Sequence, residues 1–484
     1  MAEQGLKKEL NPMHVWAIAF GCIIGWGSFI NPGKKFLPNS GVAGTTIAMI
    51  LGALVMVIIA FSYAYMIPKY PKAGGEFTFS KNCFGKTPAY ICGWFLVAAY
   101  LTNVPMNSTA IGLIVDGIDG GADILKFGFH YSIAGFEVWL GEILLASFIL
   151  ILFGYLNIIG VKKAGFVQTV LAATLAVCAF TLFVSALISA KAKGINMQPL
   201  WGFDKAAAIA ANATTANINE FAHTGTKGVL SAILATFAIA PWAYVGFDTI
   251  PQAAEEFKFS YKKVMGIMCV AIAFGCFVYS SNNAVAAAAL TNWPDRVMAG
   301  DWVLLIAAEE LLGVFGKILI GIGVSCAVLS GIMGFYLASS RLMYSMSKDG
   351  YLPEIFGKLD EKHSTPKNAM IFCILISLSG PILGREALGW FVDMSAIGAS
   401  IGYFFTSAST LVTMKKDNDG TKLLKAMSII GVIFSITFMI LQLIPIPGLS
   451  GVHFGKESYL MLVVWIVIGA LFYLRQRKTI MAIE

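Results

Sequence analysis

The chain has 484 residues, of which 57% are hydrophobic and 13% charged, with a formal net charge of +7. Soluble domains carry about 25% charged residues, so a water-soluble fold has no place to hide this much apolar surface. A bilayer accepts it at roughly 20 residues per span, which allows about ten to fourteen spans and leaves no room for a large soluble domain. The positive balance does not indicate nucleic acid, because lysines that flank spans set topology.

The opening MAEQGLKKEL is polar and is not a signal peptide. No small-residue cleavage pattern follows the apolar run from Met13, so that run reads as a retained span. Apolar stretches predict spans at 13–36, 42–66, 88–115, 139–158, 164–190, 228–254, 264–288, 314–342, 369–384, 388–412, 424–445 and 458–474. Each must be helical wherever it meets lipid, which offers no hydrogen bonds. About twelve spans put both termini on one side. That side carries roughly twice the Lys and Arg of the other, through 69–86, Lys162–Lys163, 341–367 and Arg475–Lys478, which predicts cytoplasmic termini. The longest connection, 191–227, then lies outside. The outward stretch 301–312 has apolar residues at helical spacing and a charged face, and reads as a short interfacial helix or a plain connector. The eight cysteines lie mostly inside apolar runs without CxxC spacing, and the five histidines lie mostly in loops or at span ends. No metal or cofactor is expected.

Two spans are interrupted. The first reads GCIIGWGSF, with Gly21, Gly25 and Gly27 close together; each mid-helix glycine costs about 1 kcal/mol relative to alanine. The sixth reads AIAPWAYVGFD, where Pro241 removes a backbone donor at about 3 kcal/mol and Gly246 follows. If the first five and next five spans form two repeats, the breaks fall at matching positions. Such a pair points to a transporter site at mid-membrane. Unwound backbone frees N–H groups for a carboxylate and carbonyls for an ammonium group or a cation, so a zwitterion suits it. The bland reading is close helix packing at glycine and a tolerated proline kink.

At these residues the sequence resembles the amino acid–polyamine–organocation transporters, over about residues 12–415. The motifs are Gly21-Cys22-Ile23-Ile24-Gly25-Trp26-Gly27-Ser28-Phe29, Tyr70-Pro71-Lys72-Ala73-Gly74-Gly75-Glu76-Phe77, Gly160-Val161-Lys162-Lys163 with Gln168, Ala243-Tyr244-Val245-Gly246-Phe247-Asp248 with Glu255-Glu256, and Ser340-Arg341-Leu342-Met343-Tyr344 followed by Asp349-Gly350-Tyr351-Leu352-Pro353. The resemblance implies an all-α membrane protein of about twelve spans with a leucine-transporter-like 5+5 inverted repeat plus two C-terminal helices. Its parts would be a cytoplasmic N-terminus 1–12, a first five-helix repeat 13–190, the extracellular loop 191–227, a second repeat 228–412, and two extra helices with a cytoplasmic C-terminus at 413–484. It implies alternating access, with an amino acid or amine substrate in the cell membrane. By the same resemblance, the N–H groups of Trp26, Gly27 and Ser28 beside Gly25 face the substrate carboxylate. The carbonyls of Ile23, Trp242, Ala243 and Val245 face its amino group.

Three positions depart from the family pattern. Leu175 stands where many relatives carry a lysine that takes the place of a sodium ion. Ala99 stands where cationic carriers have a Glu, which favours a small neutral substrate. Trp26 stands where a small residue is usual. Asp248 reads as a proton sensor or a helix-positioning acid, since an intramembrane carboxylate is costly. Tyr244 and Trp242 read as gates or packing. Asn103, Asn107 and Ser330 read as site residues or helix–helix hydrogen bonds. Glu255 and Glu256 read as a solvated gate or salt bridge near Lys258, and Lys34 and Lys35 as residues that snorkel to the outer interface. A secondary transporter is expected, coupled to H+ or Na+ or working by exchange. A polyamine or cationic amino acid carrier and a membrane amino-acid sensor are the alternatives. No nucleophile elbow, phosphate loop or His/Cys/Asp cluster suggests an enzyme. The expected partners are the substrate and lipid, with no nucleic acid; the oligomeric state stays open.

Overall fold

The computed structural model describes residues 5–133, 136–193, 197–385, 387–446 and 453–482. Parts of the expected termini and loops, residues 1–4, 194–196, 447–452 and 483–484, lie outside these. The described chain is mainly helical, as it must be where a segment has to satisfy its own backbone. In order, the helices are α1 Pro12–Ile23, α2 Gly27–Asn31, α3 Leu37–Lys69, α4 Gly75–Phe84, α5 Lys86–Ile118, α6 Leu140–Ile158, α7 Val161–Lys193, α8 Lys205–Ala210, α9 Gly225–Phe237 and α10 Ala240–Ala243. There follow α11 Val264–Ala288, α12 Trp293–Ala299, α13 Val303–Leu312, α14 Val314–Lys348, α15 Lys367–Ser377, α16 Ser379–Leu383, α17 Ala387–Asp417, α18 Lys422–Leu443 and α19 Lys456–Ala482. Among the described residues nine helices are long and apolar enough to cross a membrane, and three shorter apolar ones accompany them at Pro12–Ile23, Gly225–Phe237 and Lys367–Leu383. The protein is an all-α membrane protein.

The interrupted segments sit at the centre. α1 packs against α7, α11 and α14; α10 packs against α3 and α17; α5 lies between α14 and α17. The outer helices turn large apolar side chains away from the bundle. Phe148 on α6, Phe166 on α7 and Leu460 on α19 are 62%, 65% and 66% exposed. That many bare apolar groups on one belt suits lipid and would be a liability in water. Gly5 lies beside Lys348 and Asp349, and Gln476 lies beside Lys348 and Gly350, so both described ends of the chain share one face. This is the terminal face, and the opposite one is the distal face.

Some elements differ from expectation. The stretch after the second span contains α4, because Gly74 (φ 96°) makes a left-handed turn that starts a new helix directly after Pro71. The long connection 191–227 holds α8, capped by Asp204, whose side chain accepts from Ala207 N–H. An antiparallel strand pair, His130–Ile133 with Phe136–Trp139, precedes α6. Stretch 301–312 does form a helix, α13. It packs inward: Val303, Leu304 and Ala307 are buried, and Trp302 Nε1 donates to Phe29 O at 2.9 Å.

Candidate functional site

The first break begins where α1 ends. Ile24 N–H still closes on Phe20 O at 3.0 Å, but Ile24 is extended (φ −95°, ψ 96°) and the chain becomes helical again only at Gly27. Trp26 and Gly27 open α2, where no preceding turn supplies acceptors for their N–H groups. Ser28 N–H is engaged by Gly25 O at 3.2 Å, and Ser28 Oγ donates to the same carbonyl at 3.0 Å. Neighbouring helices hold this irregular backbone in place. From α11, Tyr279 Oη donates to Ile23 O (3.3 Å) and Asn282 Nδ2 to Ser28 O (3.0 Å). Gln168 Nε2 on α7 donates to Ala17 O and Ser330 O, both at 3.1 Å, and Ser330 Oγ donates to Gly21 O at 3.2 Å.

The second break follows α10. Pro241 sits in its first turn, where a missing N–H costs little. Tyr244 N–H closes on Ala240 O (3.1 Å) and Val245 N–H on Trp242 O (3.2 Å). Gly246 then takes φ 146°, a conformation that a side chain rarely adopts, and the chain continues as 3-10 turns Phe247–Thr249 and Pro251–Glu256. The two breaks touch here. A Cβ at Gly246 would stand 2.6 Å from Ile23 N and 2.8 Å from Ala19 O, both backbone atoms of the first span. They meet again at Gly27, whose Cβ would overlap the Trp242 ring. The Trp26 and Trp242 ring centroids are 6.3 Å apart at 55°.

Above the two tryptophans a cavity of about 280 Å³ opens toward the distal face. Its lining includes Trp26, Trp242, Asn31, Lys34, Lys35 and Arg385. Lys34 and Lys35, on the π-helical turn Pro32–Phe36, are exposed and line this vestibule. Arg385 is held there by Glu142 (2.5 Å) and Asp116.

The remaining candidates are placed as follows. Ile23, Ser28, Ala243 and Val245 are buried at the breaks, and Gly25 is half-buried. Tyr244 turns away from the vestibule and donates to Met49 O at 2.7 Å. Asn103 Nδ2 bridges α5 to Ser395 on α17 at 2.6 Å, a helix–helix hydrogen bond. Asn107 donates to Asn103 O, and its buried Oδ1, without a partner among the described residues, lies beside Gly25. Ala99 packs against Gly398 of α17, and Leu175 is fully buried.

Asp248 is completely buried below the breaks, toward the terminal face, with Gly246 N–H donating to Oδ1 at 2.7 Å. Beside it lies Glu76 at the start of α4, also completely buried, which sequence reasoning left in a loop. Tyr63 Oη donates to Glu76 Oε1 (2.6 Å), and Gln252 Nε2 lies 2.6 Å from Glu76 Oε2. Tyr100 Oη lies 3.3 Å from Glu76 Oε1 and 3.2 Å from Asp248 Oδ2. The only hint in the sequence was an acid directly after a Gly-Gly turn. Further down, Glu256 is a salt-bridge residue and not a solvated gate, with Arg341 as its partner in place of Lys258: the buried ion pair spans 3.0 Å. Glu255 accepts weakly from Leu6 N–H and Ala73 N–H, both at 3.4 Å. The N-terminal segment crosses underneath, with Glu9 N–H and Leu10 N–H on Glu256 O (3.0 Å each) and Lys258 N–H on Leu10 O (2.9 Å). In this conformation the breaks are buried on the terminal side beneath the Glu256–Arg341 pair, and on the distal side Trp26 and Trp242 separate them from the vestibule.

The comparisons with known proteins agree with this architecture. Residues 10–471 match the amino acid permease family model. The large neutral amino acids transporter small subunit 2 of Oryctolagus cuniculus is 27% identical over 375 residues, covering 77% of this chain and 64% of that protein. The match thus spans less than two thirds of that relative's length. The branched-chain amino acid permease of Bacillus subtilis is 24% identical over 98% of this chain and 94% of its own. The mitochondrial cationic amino acid transporter 3 of Arabidopsis thaliana is 24% identical over 85% of this chain and 62% of its own. With helix breaks and family model in agreement along nearly the whole chain, this protein belongs to the amino acid permease family.

Proposed function

We propose that the protein is a secondary active transporter that carries a small neutral amino acid across the cell membrane by alternating access, with both termini in the cytoplasm. The observation that carries this reading is the pair of helix breaks that meet at Gly246 and Gly27 beneath the vestibule. In this reading the amides of Trp26 and Gly27 at the start of α2 hold the substrate carboxylate. The unwound carbonyls near Ile23, Ala243 and Val245, with Asn107 Oδ1, hold its ammonium group. Relatives with the same family model are named for large neutral, branched-chain and cationic amino acids. Two features of this chain favour a neutral, small one. In the vestibule lining Arg385 is already paired with Glu142 and Asp116, and Lys34 and Lys35 are the other charged side chains among the described residues there, which disfavours entry of a cationic side chain. The two tryptophans leave little width at its floor. The excess of Lys and Arg on the terminal side supports cytoplasmic termini. The 13–190 and 228–412 segments, each opening on an interrupted helix, support an inverted repeat.

The test is a thermal-shift screen of the purified protein against the common amino acids and amines. A ligand at 100 times its Kd adds about 2.7 kcal/mol of stability. Stabilisation by alanine, serine, valine or leucine with none by lysine, arginine or putrescine is the expected result. Stabilisation by lysine alone would overturn the neutral reading, and none by any amino acid or amine would argue against the site.

A further inference from the structure

Glu76 and Asp248 form a buried acidic pair whose four carboxylate oxygens, among the described residues, accept only from neutral groups: Tyr63, Gln252, the Gly246 amide and Tyr100. Tyr100 Oη lies within hydrogen-bonding distance of Glu76 Oε1 (3.3 Å), Asp248 Oδ2 (3.2 Å) and Asp248 O (3.0 Å). It has one hydrogen to give. Glu76 Oε2 and the Gln252 amide are 2.6 Å apart, a separation typical of O–H···O and short for N–H···O. Gln252 Oε1 is buried and has no partner among the described residues. With the amide turned end for end, Gln252 Oε1 accepts a proton carried by Glu76 Oε2, and the unpartnered position passes to Nε2. The Tyr100 hydrogen is then free for Asp248.

Among the described residues the surroundings supply no cation. Tyr63 on α3, Tyr100 and Cys92 on α5, and Tyr403 on α17 face Glu76. Cys22 on α1 faces Asp248. Glu256 follows on the same segment and is already neutralised by Arg341. Tyr403 Oη is fully buried and unpartnered among the described residues, a second polar group left over at this spot. Two neighbouring carboxylates in such a place cannot both stay ionised at low cost. A sodium ion would have to displace Tyr63, Gln252 and the Gly246 amide from the carboxylate oxygens they occupy.

We propose that Glu76 and Asp248 share one proton through Tyr100 and Gln252 while the terminal face is closed, and that opening this face to water releases it. This rests on the transporter reading above and deepens it: one proton would be taken up from the distal side and delivered on the terminal side with each substrate. The pair joins α4 and α5 to the segment that follows the second break, so its protonation is placed to bias the moving part.

Two measurements test it. In infrared titration of the purified protein, the wild type is expected to show a protonated-carboxyl band that disappears in Glu76→Gln and in Asp248→Asn and shifts in Tyr100→Phe. In liposomes, uptake of radiolabelled L-alanine or L-leucine is expected to change about tenfold per unit of imposed pH gradient at one proton per solute. Glu76→Gln should lose that response relative to its own uptake without a gradient. A wild-type spectrum with no band that either substitution removes would overturn the proposal, as would uptake that follows a sodium gradient. If the band titrates as expected and no amino acid enters the liposomes, the transporter reading fails and the shared proton stands.

Discussion

Gly27→Ala is a minimal probe of the floor of the vestibule. The added Cβ lies 3.0 Å from Asn31 Nδ2 and 3.3 Å from Trp242 Cζ2, and closer still to Trp242 Cη2. Real Cβ contacts essentially never fall under 3.0 Å, so Trp242 has to move. Overpacking by one methyl in a well-packed site costs about 1–3 kcal/mol. Without ligand the indole can relieve the clash by swinging into the vestibule it lines, and much of the cost is deferred. Ligand must then expel the ring, so the cost reappears as affinity. At 1.4 kcal/mol per factor of ten, Kd rises between about 5-fold and 140-fold. The larger Gly27→Val should abolish binding in a folded, dispersed protein. The assay is titration of the ligand found in the screen, read by thermal shift, with the ligand-free Tm recorded for each variant. A Tm that falls by several degrees while Kd stays at the wild-type value would refute the reasoning and make Gly27 a packing glycine.

Four further outcomes are expected. Trp26→Ser should let larger side chains into the site and weaken the native ligand; an unchanged ligand profile would assign Trp26 to packing. Arg341→Met leaves Glu256 buried without its partner and should cost about 3–5 kcal/mol in thermal unfolding, most of it recovered in the double variant Arg341→Met/Glu256→Leu. Gly246→Ala combines φ 146° with a Cβ 2.6 Å from Ile23 N, and should lose at least about 1–3 kcal/mol of stability together with ligand binding. Replacing sodium with choline at constant pH should leave uptake unchanged, because in this account the proton shared by Glu76 and Asp248 supplies the coupling; a collapse of uptake would restore a sodium site.

The helix interruptions were legible because their cause is local. Three close glycines, and a proline followed by glycine, carry an intrinsic cost in a helix wherever they stand. The long apolar helices were legible from hydropathy for a similar reason. Their meeting at Gly246 and Ile23 needed the tertiary structure, since no spacing rule relates the two spans. α4 was missed because Pro71, Gly74 and Gly75 read as a turn, and here the turn itself launches the helix. Lys34 and Lys35 follow an apolar run, which invites a snorkelling reading; that they line a vestibule needed the tertiary structure. Glu76 with Asp248, and Glu256 with Arg341, are pairs made across long sequence separations. Each partner alone reads as an acid or base at a span end.

Counterflow into liposomes that contain only this protein tests the central claim most directly. Vesicles loaded with unlabelled L-alanine or L-leucine are diluted into trace radiolabelled solute, and the label inside is followed over time. A transient overshoot of label that is absent from Gly27→Val vesicles and from empty vesicles is the predicted result. Label that never exceeds the empty-vesicle level for any amino acid, in wild-type protein that still shows ligand-induced thermal stabilisation, would contradict transport and leave a binding protein.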